Sequence, residues 1–144
     1  MTTYLGYRLG KLLKPDSIIC LNGDLAAGKT TFTKGIGKAL GVKRVINSPT
    51  FTLLKIYEGD LTLYHIDAYR LAENDADLGF DEYFDLGGVT VIEWYEYLKH
   101  ILPKDYLEIS FRLIDDRTRV INFIPHGDGY QEIIGELEND LSMY

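Results

Sequence analysis

Residues 17–30 read Ser-Ile-Ile-Cys-Leu-Asn-Gly-Asp-Leu-Ala-Ala-Gly-Lys-Thr, a short apolar run followed by a glycine-containing loop. The segment from Gly23 to Thr30 matches the pattern G-x-x-x-x-G-K-[ST] at every fixed position. The apolar run is typical of a buried parallel strand. Lys29 to Leu40 has the hydrophobic spacing of a helix, which Gly41 ends. A strand, this loop and a helix in that order predict a phosphate-binding loop.

Such a loop binds a nucleoside triphosphate through its backbone, because the glycines let successive N–H groups point at phosphate oxygens. The N-terminus of the following helix adds partial positive charge. In this pattern Lys29 reaches the β- and γ-phosphates, and the Thr30 hydroxyl binds Mg²⁺. The alternative interpretation is a glycine-rich turn with a surface lysine. The predicted nucleotide-binding residues are Gly23, Asp24, Leu25, Ala26, Ala27, Gly28, Lys29, Thr30 and Thr31.

Hydrophobic patterning elsewhere predicts an α/β fold. Helical spacing covers residues 3–14, 95–102 and 130–141, and a second apolar strand covers residues 89–93. Two pairs of strand-like runs, 51–57 with 61–70 and 106–114 with 119–124, predict hairpins. The acidic stretch 72–88 is irregular and admits a short helix around 75–84. We expect a single P-loop NTPase-like domain over residues 1–144, with a mixed, partly antiparallel sheet flanked by helices.

Composition narrows the function further. The 144 residues carry a formal net charge of −7, which argues against unaided binding to a nucleic-acid backbone, because such domains usually have a basic face. An acidic chain can still bind ATP through a local pocket of amides and one lysine. The single cysteine, Cys20, excludes an intramolecular disulfide and is expected to be a small core residue. The sequence contains no apolar run of signal-peptide or membrane-spanning length, so we expect a cytoplasmic protein without a membrane partner.

A P-loop NTPase also needs a carboxylate near its Mg²⁺, commonly at the end of a neighbouring apolar strand. Glu93 best fits this position, because it ends the buried-strand run 89–92. Asp115 lies in a polar connection between two alternating strands, where a role in the turn is favoured over a role in metal binding. Spacing alone leaves the role of Asp67 open.

Three further segments combine with the P-loop: Ser48-Pro49-Thr50-Phe51, His65-Ile66-Asp67-Ala68-Tyr69-Arg70 and Ile92-Glu93-Trp94. In this order the four motifs resemble the TsaE family of small bacterial P-loop ATPases, over roughly residues 3–125. The resemblance implies an ATP- and Mg²⁺-dependent ATPase, weak alone, that is required for threonylcarbamoylation of adenosine in tRNAs reading ANN codons. It also implies TsaB and TsaD as partners, with tRNA contacted only indirectly through their complex.

The resemblance further implies roles for individual residues. Asp67 stands at the essential Asp of the family's H-x-D-x-Y-R segment and Arg70 at its arginine. Glu93 stands at the Mg²⁺-linked glutamate, and Trp94 at the active-site tryptophan. The segment Ser48, Pro49 and Thr50 matches a switch-like segment near the γ-phosphate. The predicted catalytic residues are thus Asp67, Glu93 and Lys29, and the predicted metal ligands are Thr30 and Glu93.

Two positions depart from the family pattern, and other functions remain as alternatives. Ala26 replaces a usual Gly, and Tyr95 replaces a frequent Pro. His65 is interpreted as a supporting residue rather than a ligand. The alternatives are a small-molecule P-loop kinase, a GTPase and a non-enzymatic nucleotide-dependent module. A kinase would need an arginine-bearing lid, for which six scattered arginines leave little room, and the guanine-reading Asn-Lys-x-Asp motif does not occur.

Overall fold

The elements follow the order expected of a P-loop protein. The computed structural model describes residues 2–23, 28–46, 54–68, 80–116 and 118–142. The α-helices are α1 (Thr2–Leu12), α2 (Lys29–Ala39) and α3 (Asp128–Ser142). The strands are β1 (Ser17–Gly23), β2 (Leu54–Tyr57), β3 (Leu63–Asp67), β4 (Val89–Glu93), β5 (Tyr106–Leu113) and β6 (Arg119–His126). Two 3₁₀ helices, Phe80–Asp85 and Tyr95–Ile101, precede and follow β4.

The six strands form one mixed sheet in the order β2-β3-β4-β1-β5-β6. Both predicted hairpins are confirmed as antiparallel pairs, β2 with β3 and β5 with β6. The inner strand of each hairpin runs parallel to the central pair β1 and β4. The parallel part therefore spans four strands, two more than the apolar runs 17–21 and 89–93 that the sequence predicts to be parallel, and only the edge strands are antiparallel.

The predicted helices are found, with two adjustments. The region 95–102 forms a 3₁₀ helix. Of the short helix expected around 75–84, only the part from Phe80 onward lies in the described residues, where it is also 3₁₀. Asp115 has the predicted role in a turn, because its Oδ1 accepts a hydrogen bond of 2.8 Å from the backbone N–H of Thr118.

The sheet separates two hydrophobic cores. One lies under α1, α2 and α3 and includes Leu9, Ile19, Phe32, Ile109 and Leu137; the other lies under the 3₁₀ helices and includes Cys20, Ile92 and Leu98. Cys20 is fully buried, as predicted, and its burial raises the pKa of the thiol. Helix α1 packs closely on α2. The absence of a side chain at Gly6 permits this packing, since a Cβ there would collide with the backbone carbonyl of Phe32.

This arrangement brings the ends of β1, β3 and β4 to one edge of the sheet. In sheets of parallel strands, ligands bind outside the carboxyl ends of the strands. Gly23, Asp67 and Glu93 end those three strands. Within the described parts of the chain, none of the helices is both long and apolar enough to span a lipid bilayer.

Candidate functional site

The described residues on either side of the phosphate loop are the end of a strand and the start of a helix. Strand β1 ends at Gly23, and α2 begins at Lys29 after Gly28, which has a left-handed backbone with φ of 98° and ψ of 19°. That conformation suits glycine, because a Cβ is disfavoured there. The N–H of Phe32 donates a 2.8 Å hydrogen bond to the carbonyl of Gly28, so the helix starts immediately after the loop.

Lys29 is buried at the N-terminus of α2, with only 3% of its surface exposed. The first turn of α2 contains no acidic residue, so the partial positive charge of the helix end and the lysine charge lie together. The lysine Nζ lies 3.8 Å from Glu93 Oε1 and 5.3 Å from the centre of the Trp94 ring. Positive charge is therefore concentrated at this end of α2, and the buried Glu93 carboxylate partly compensates it.

Glu93 ends β4 and is 5% exposed. Its Oε2 lies 2.7 Å from Nε2 of His65, which is fully buried on the neighbouring strand β3. The short distance indicates a strong hydrogen bond in which Nε2–H donates to the carboxylate. Among the described residues, His65 Nδ1 has no hydrogen-bond partner. His65 thus supports Glu93, which agrees with its interpretation as a supporting residue.

The environment of Glu93 favours the ionised carboxylate. Burial by itself raises the pKa of this carboxyl, but the hydrogen bond from His65 and the charges of His65 and Lys29 lower it by more. The net effect is a pKa below the ordinary value of 4.5. A carboxylate that is both desolvated and held in one orientation can bind a cation or orient a water molecule.

Asp67 lies beside Glu93 at the same edge. In the parallel pairing of β3 and β4, Asp67 is the register partner of Glu93, and Glu93 is in turn the partner of Leu21 on β1. Residues paired in this way point to the same face of the sheet and lie about 4.8 Å apart along the ladder. Asp67 is half-buried. The two predicted catalytic carboxylates are therefore neighbours on the face that carries α2.

Trp94 follows Glu93 with a left-handed backbone, φ of 60° and ψ of 45°, which is uncommon for a bulky residue. This conformation turns the chain sharply out of β4 and into the second 3₁₀ helix. Trp94 and Lys29 line a cavity of about 160 Å³, together with Asn22, Gly23 and Glu96. Asn22 and Glu96 were not predicted as site residues, although both lie within three positions of a motif residue.

The remaining predicted site residues divide into two groups. Thr30 is half-buried and Thr31 exposed, both in the first turn of α2. Asp24, Leu25, Ala26, Ala27, Ser48, Pro49, Thr50 and Arg70 lie outside the described residues. Tyr95, which replaces a frequent proline of the family, is buried, and its burial raises the pKa of its hydroxyl.

The described donors can be tested against Mg²⁺, which the motif implies. They contain no cluster of three or more His, Cys, Asp or Glu side chains that could hold a metal ion alone. Mg²⁺ at nucleotide sites usually binds one or two carboxylates and completes its shell with phosphate oxygens and water. Neighbouring Asp67 and Glu93, with a threonine hydroxyl at the start of α2, fit that kind of site.

Comparisons with known proteins agree with one another. The family model for "Threonylcarbamoyl adenosine biosynthesis protein TsaE" matches residues 1–121. The tRNA threonylcarbamoyladenosine biosynthesis protein TsaE of Bacillus subtilis is 46% identical over 125 residues, which cover 86% of this chain and 79% of the relative. The protein of that name from Treponema pallidum is 48% identical over 122 residues, 83% of this chain and 90% of the relative. The crystal structure of YdiB from Bacillus subtilis superposes with a TM-score of 0.84 at 37% identity, covering 96% of this chain and 88% of that one.

Proposed function

This chain belongs to the TsaE family and acts in threonylcarbamoyladenosine biosynthesis in tRNA, and we propose that it does so as a Mg²⁺-dependent ATPase. The observation that carries the proposal is the convergence of Lys29, Glu93 and Asp67 at one edge of the sheet. A phosphate-loop lysine and two carboxylates on adjacent parallel strands are the set that phosphoryl transfer to water requires. Hydrolysis would drive a conformational step in a complex of TsaB and TsaD.

Lys29 is the residue that would bind the nucleotide phosphates. Its ammonium now lies 3.8 Å from Glu93 Oε1, and a small change of side-chain torsion would direct it toward a β- or γ-phosphate at the loop. The amides at the start of α2 would bind the same phosphates. The role of Lys29 in hydrolysis is electrostatic, because its charge offsets the negative charge that develops on the phosphoryl group.

The two carboxylates would share the remaining work. Thr30 and Glu93 would hold Mg²⁺, which when bound neutralises charge between the β- and γ-phosphates. Asp67, beside Glu93 in register, would accept a hydrogen bond from the attacking water and orient it in line with the leaving oxygen. His65 would fix the carboxylate of Glu93 through its 2.7 Å hydrogen bond. Trp94 would cover Lys29 and limit the access of bulk water.

The experiment measures phosphate release from ATP by the purified chain, alone and with TsaB and TsaD. The variants are Glu93→Gln and Asp67→Asn, and the matched control is Asp115→Asn, which removes a turn carboxylate. We expect both site variants to lower hydrolysis by about 100-fold or more, since losing one preorganised group commonly costs that much. Nucleotide binding, followed by the emission of the single tryptophan, Trp94, should change much less.

A second measurement connects hydrolysis to tRNA. The reconstituted reaction contains TsaB, TsaD, threonylcarbamoyl-adenylate and unmodified tRNA. We expect multiple rounds of modification with the wild-type chain and with Asp115→Asn, but not with Glu93→Gln. If modification cycles equally well without this chain, or with both carboxylates neutralised, the proposed ATPase role is wrong.

A further inference from the structure

Basic and acidic residues are strongly segregated along this chain. Residues 1–57 contain nine Lys and Arg but only two Asp and Glu, whereas residues 58–144 contain six and twenty. The two parts thus carry formal charges of +7 and −14, which together make the net charge of −7. Residues 28–46 contain no acidic residue. Such asymmetry is a sign of binding to a polyanion, which the net charge of the whole chain conceals.

The fold gathers part of this positive charge on one surface. Lys34 and Lys38 are one turn apart on α2, and Lys43 and Arg44 follow that helix. Two cavities of about 230 and 460 Å³ share Arg44 in their lining. Lys11 on α1 joins the group, because it and Lys38 approach the same Tyr7 ring. We call these five side chains, Lys11, Lys34, Lys38, Lys43 and Arg44, the basic surface.

All five cations of the basic surface are exposed, and three are held in place by aromatic rings. The ammonium groups of Lys11 and Lys38 lie 5.4 and 5.9 Å from the centre of the Tyr7 ring, and the Arg44 guanidinium lies 5.0 Å from that of Tyr57. None of the five forms an ion pair with a described carboxylate. Among the described residues, Glu58 is the one acidic side chain that lines either cavity, and the Asp60 carboxylate lies beside Gly41 at the rim of the larger cavity. Unpaired like charges repel one another, so the surface is suited to an anionic partner.

We propose that the basic surface binds the phosphate backbone of tRNA. The proposal rests on the assignment of this chain to tRNA modification. Four of the five cations are lysines, which are depleted in protein–protein interfaces but are common phosphate-binding residues. The Cα atoms of Lys34 and Lys38 are about 6 Å apart along the axis of α2, so each side chain can bind a separate phosphate. The proposal differs from the expectation, drawn from the net charge and the family resemblance, that tRNA is contacted only indirectly.

Two features of the basic surface would also suit an acidic protein. Val45 is 73% exposed and Ile56 43% exposed, and both lie among the cations. Exposed apolar residues surrounded by charge occur in protein interfaces. Single exposed apolar side chains are, however, normal on protein surfaces, whereas a local excess of five cations without a described carboxylate partner favours a polyanion.

The test compares two triple variants with the same change of charge. Lys34→Gln/Lys38→Gln/Arg44→Gln removes three cations of the basic surface. The control, Lys99→Gln/Lys104→Gln/Arg112→Gln, removes two lysines and one arginine that are exposed elsewhere. Binding of unmodified tRNA is measured by fluorescence anisotropy between about 50 and 200 mM salt, with saturating ADP so that RNA phosphate cannot enter the phosphate loop. Nucleotide binding through Trp94 emission verifies the fold of each variant.

We expect the affinity of the wild-type chain to fall steeply with salt, with a log–log slope of about −3.5 to −4.5 for five phosphate contacts. The surface variant should lose about tenfold in affinity at the lowest salt, and its slope should be shallower by about two to three. The control variant should bind tRNA as the wild type does, because its basic surface is intact. Its net charge equals that of the surface variant, so a difference between the two variants reports the position of the charges and not their number.

Equal tRNA affinities and slopes for the two triple variants would overturn the proposal. It would also be overturned if the surface variant bound tRNA normally but lost its binding to TsaB and TsaD, since the surface would then serve an acidic protein. Hydrolysis of ATP is measured on the same preparations. A wild-type chain that binds tRNA as expected but releases no phosphate would reject the ATPase proposal and leave this one intact.

Discussion

His65 and Glu93 form a buried pair at the edge of the sheet, whereas His126 and Glu108 form a more exposed pair between β6 and β5. The buried pair has an N–O distance of 2.7 Å, with side chains 0% and 7% exposed. The outer pair has a distance of 3.3 Å, with side chains 38% and 17% exposed, and its imidazole stacks on Tyr106. The same two residue types thus form one pair that is shielded from solvent and one that is partly exposed to it. Only the buried pair holds its carboxylate in one orientation next to Lys29.

The largest difference between the pairs should be in stability. His65→Ala leaves the Glu93 carboxylate buried without its hydrogen-bond donor, which should lower the free energy of unfolding by about 3 kcal/mol. His126→Ala removes a solvent-screened contact and should cost less than about 1 kcal/mol. Urea denaturation at neutral pH measures both.

His65→Gln is the matched control, because its amide N–H can reach the position of Nε2 and recover part of the loss. Similar destabilisation by His65→Ala and His126→Ala would show that burial does not distinguish the two pairs.

A second difference is that the buried pair has Lys29 as a third member. Lys29→Ala should weaken ATP binding by roughly 10- to 150-fold, because a charge-assisted contact contributes about 1.5–3 kcal/mol. Lys99→Ala, which removes an exposed lysine far along the chain, should leave ATP affinity unchanged. Isothermal titration with ATP and GTP gives both affinities. Unaltered ATP affinity in Lys29→Ala, or a clear preference for GTP, would contradict the phosphate-site assignment.

The smallest difference should appear in the dependence of stability on pH. The pKa of Glu93 is lower in the folded chain than its ordinary value of 4.5. Ionised Glu93 therefore contributes stability above that ordinary value, and the contribution is lost as the pH falls through the lower folded pKa. The free energy of unfolding should decrease more in this acidic range for the wild type than for Glu93→Gln.

Glu108→Gln serves as the comparison in the same titration, because it alters the outer pair and leaves the buried pair intact. Because this variant retains Glu93, it should still lose stability with falling pH more steeply than Glu93→Gln does. If Glu93→Gln loses stability with falling pH as steeply as the wild type, other carboxyl groups account for the dependence.

The sequence predicted the strands and the order of elements well, because the apolar runs are short and are separated by turns. Glu93 could be placed at a buried strand end from its neighbours alone. The position of Asp67 beside it depends on β3 being parallel to β4, a pairing between strands separated by more than twenty residues. Local patterning cannot show which strands become neighbours, so spacing left Asp67 open.

Other features depended on three-dimensional placement. The contact between His65 and Glu93 joins two adjacent strands that are distant in sequence. Strand alternation shows only that His65 and Asp67 lie on one face. The left-handed backbone of Trp94 has no sequence signal, since a bulky residue rarely adopts it. The basic surface had a signal that net charge conceals, namely the absence of acidic residues from 28–46.

At the proposed nucleotide site, the contact of Lys29 with Glu93 makes the protein's own carboxylate a competitor of the phosphates. Whatever phosphate takes up the lysine must displace an anion that is permanently tethered 3.8 Å away. Apparent nucleotide affinity is then the intrinsic affinity reduced by the fraction of molecules in which Lys29 is occupied. In the proposed reaction the same tether would act after hydrolysis, because the carboxylate could recapture the lysine as phosphate departs. Such a site would favour rapid exchange of nucleotide over tight retention.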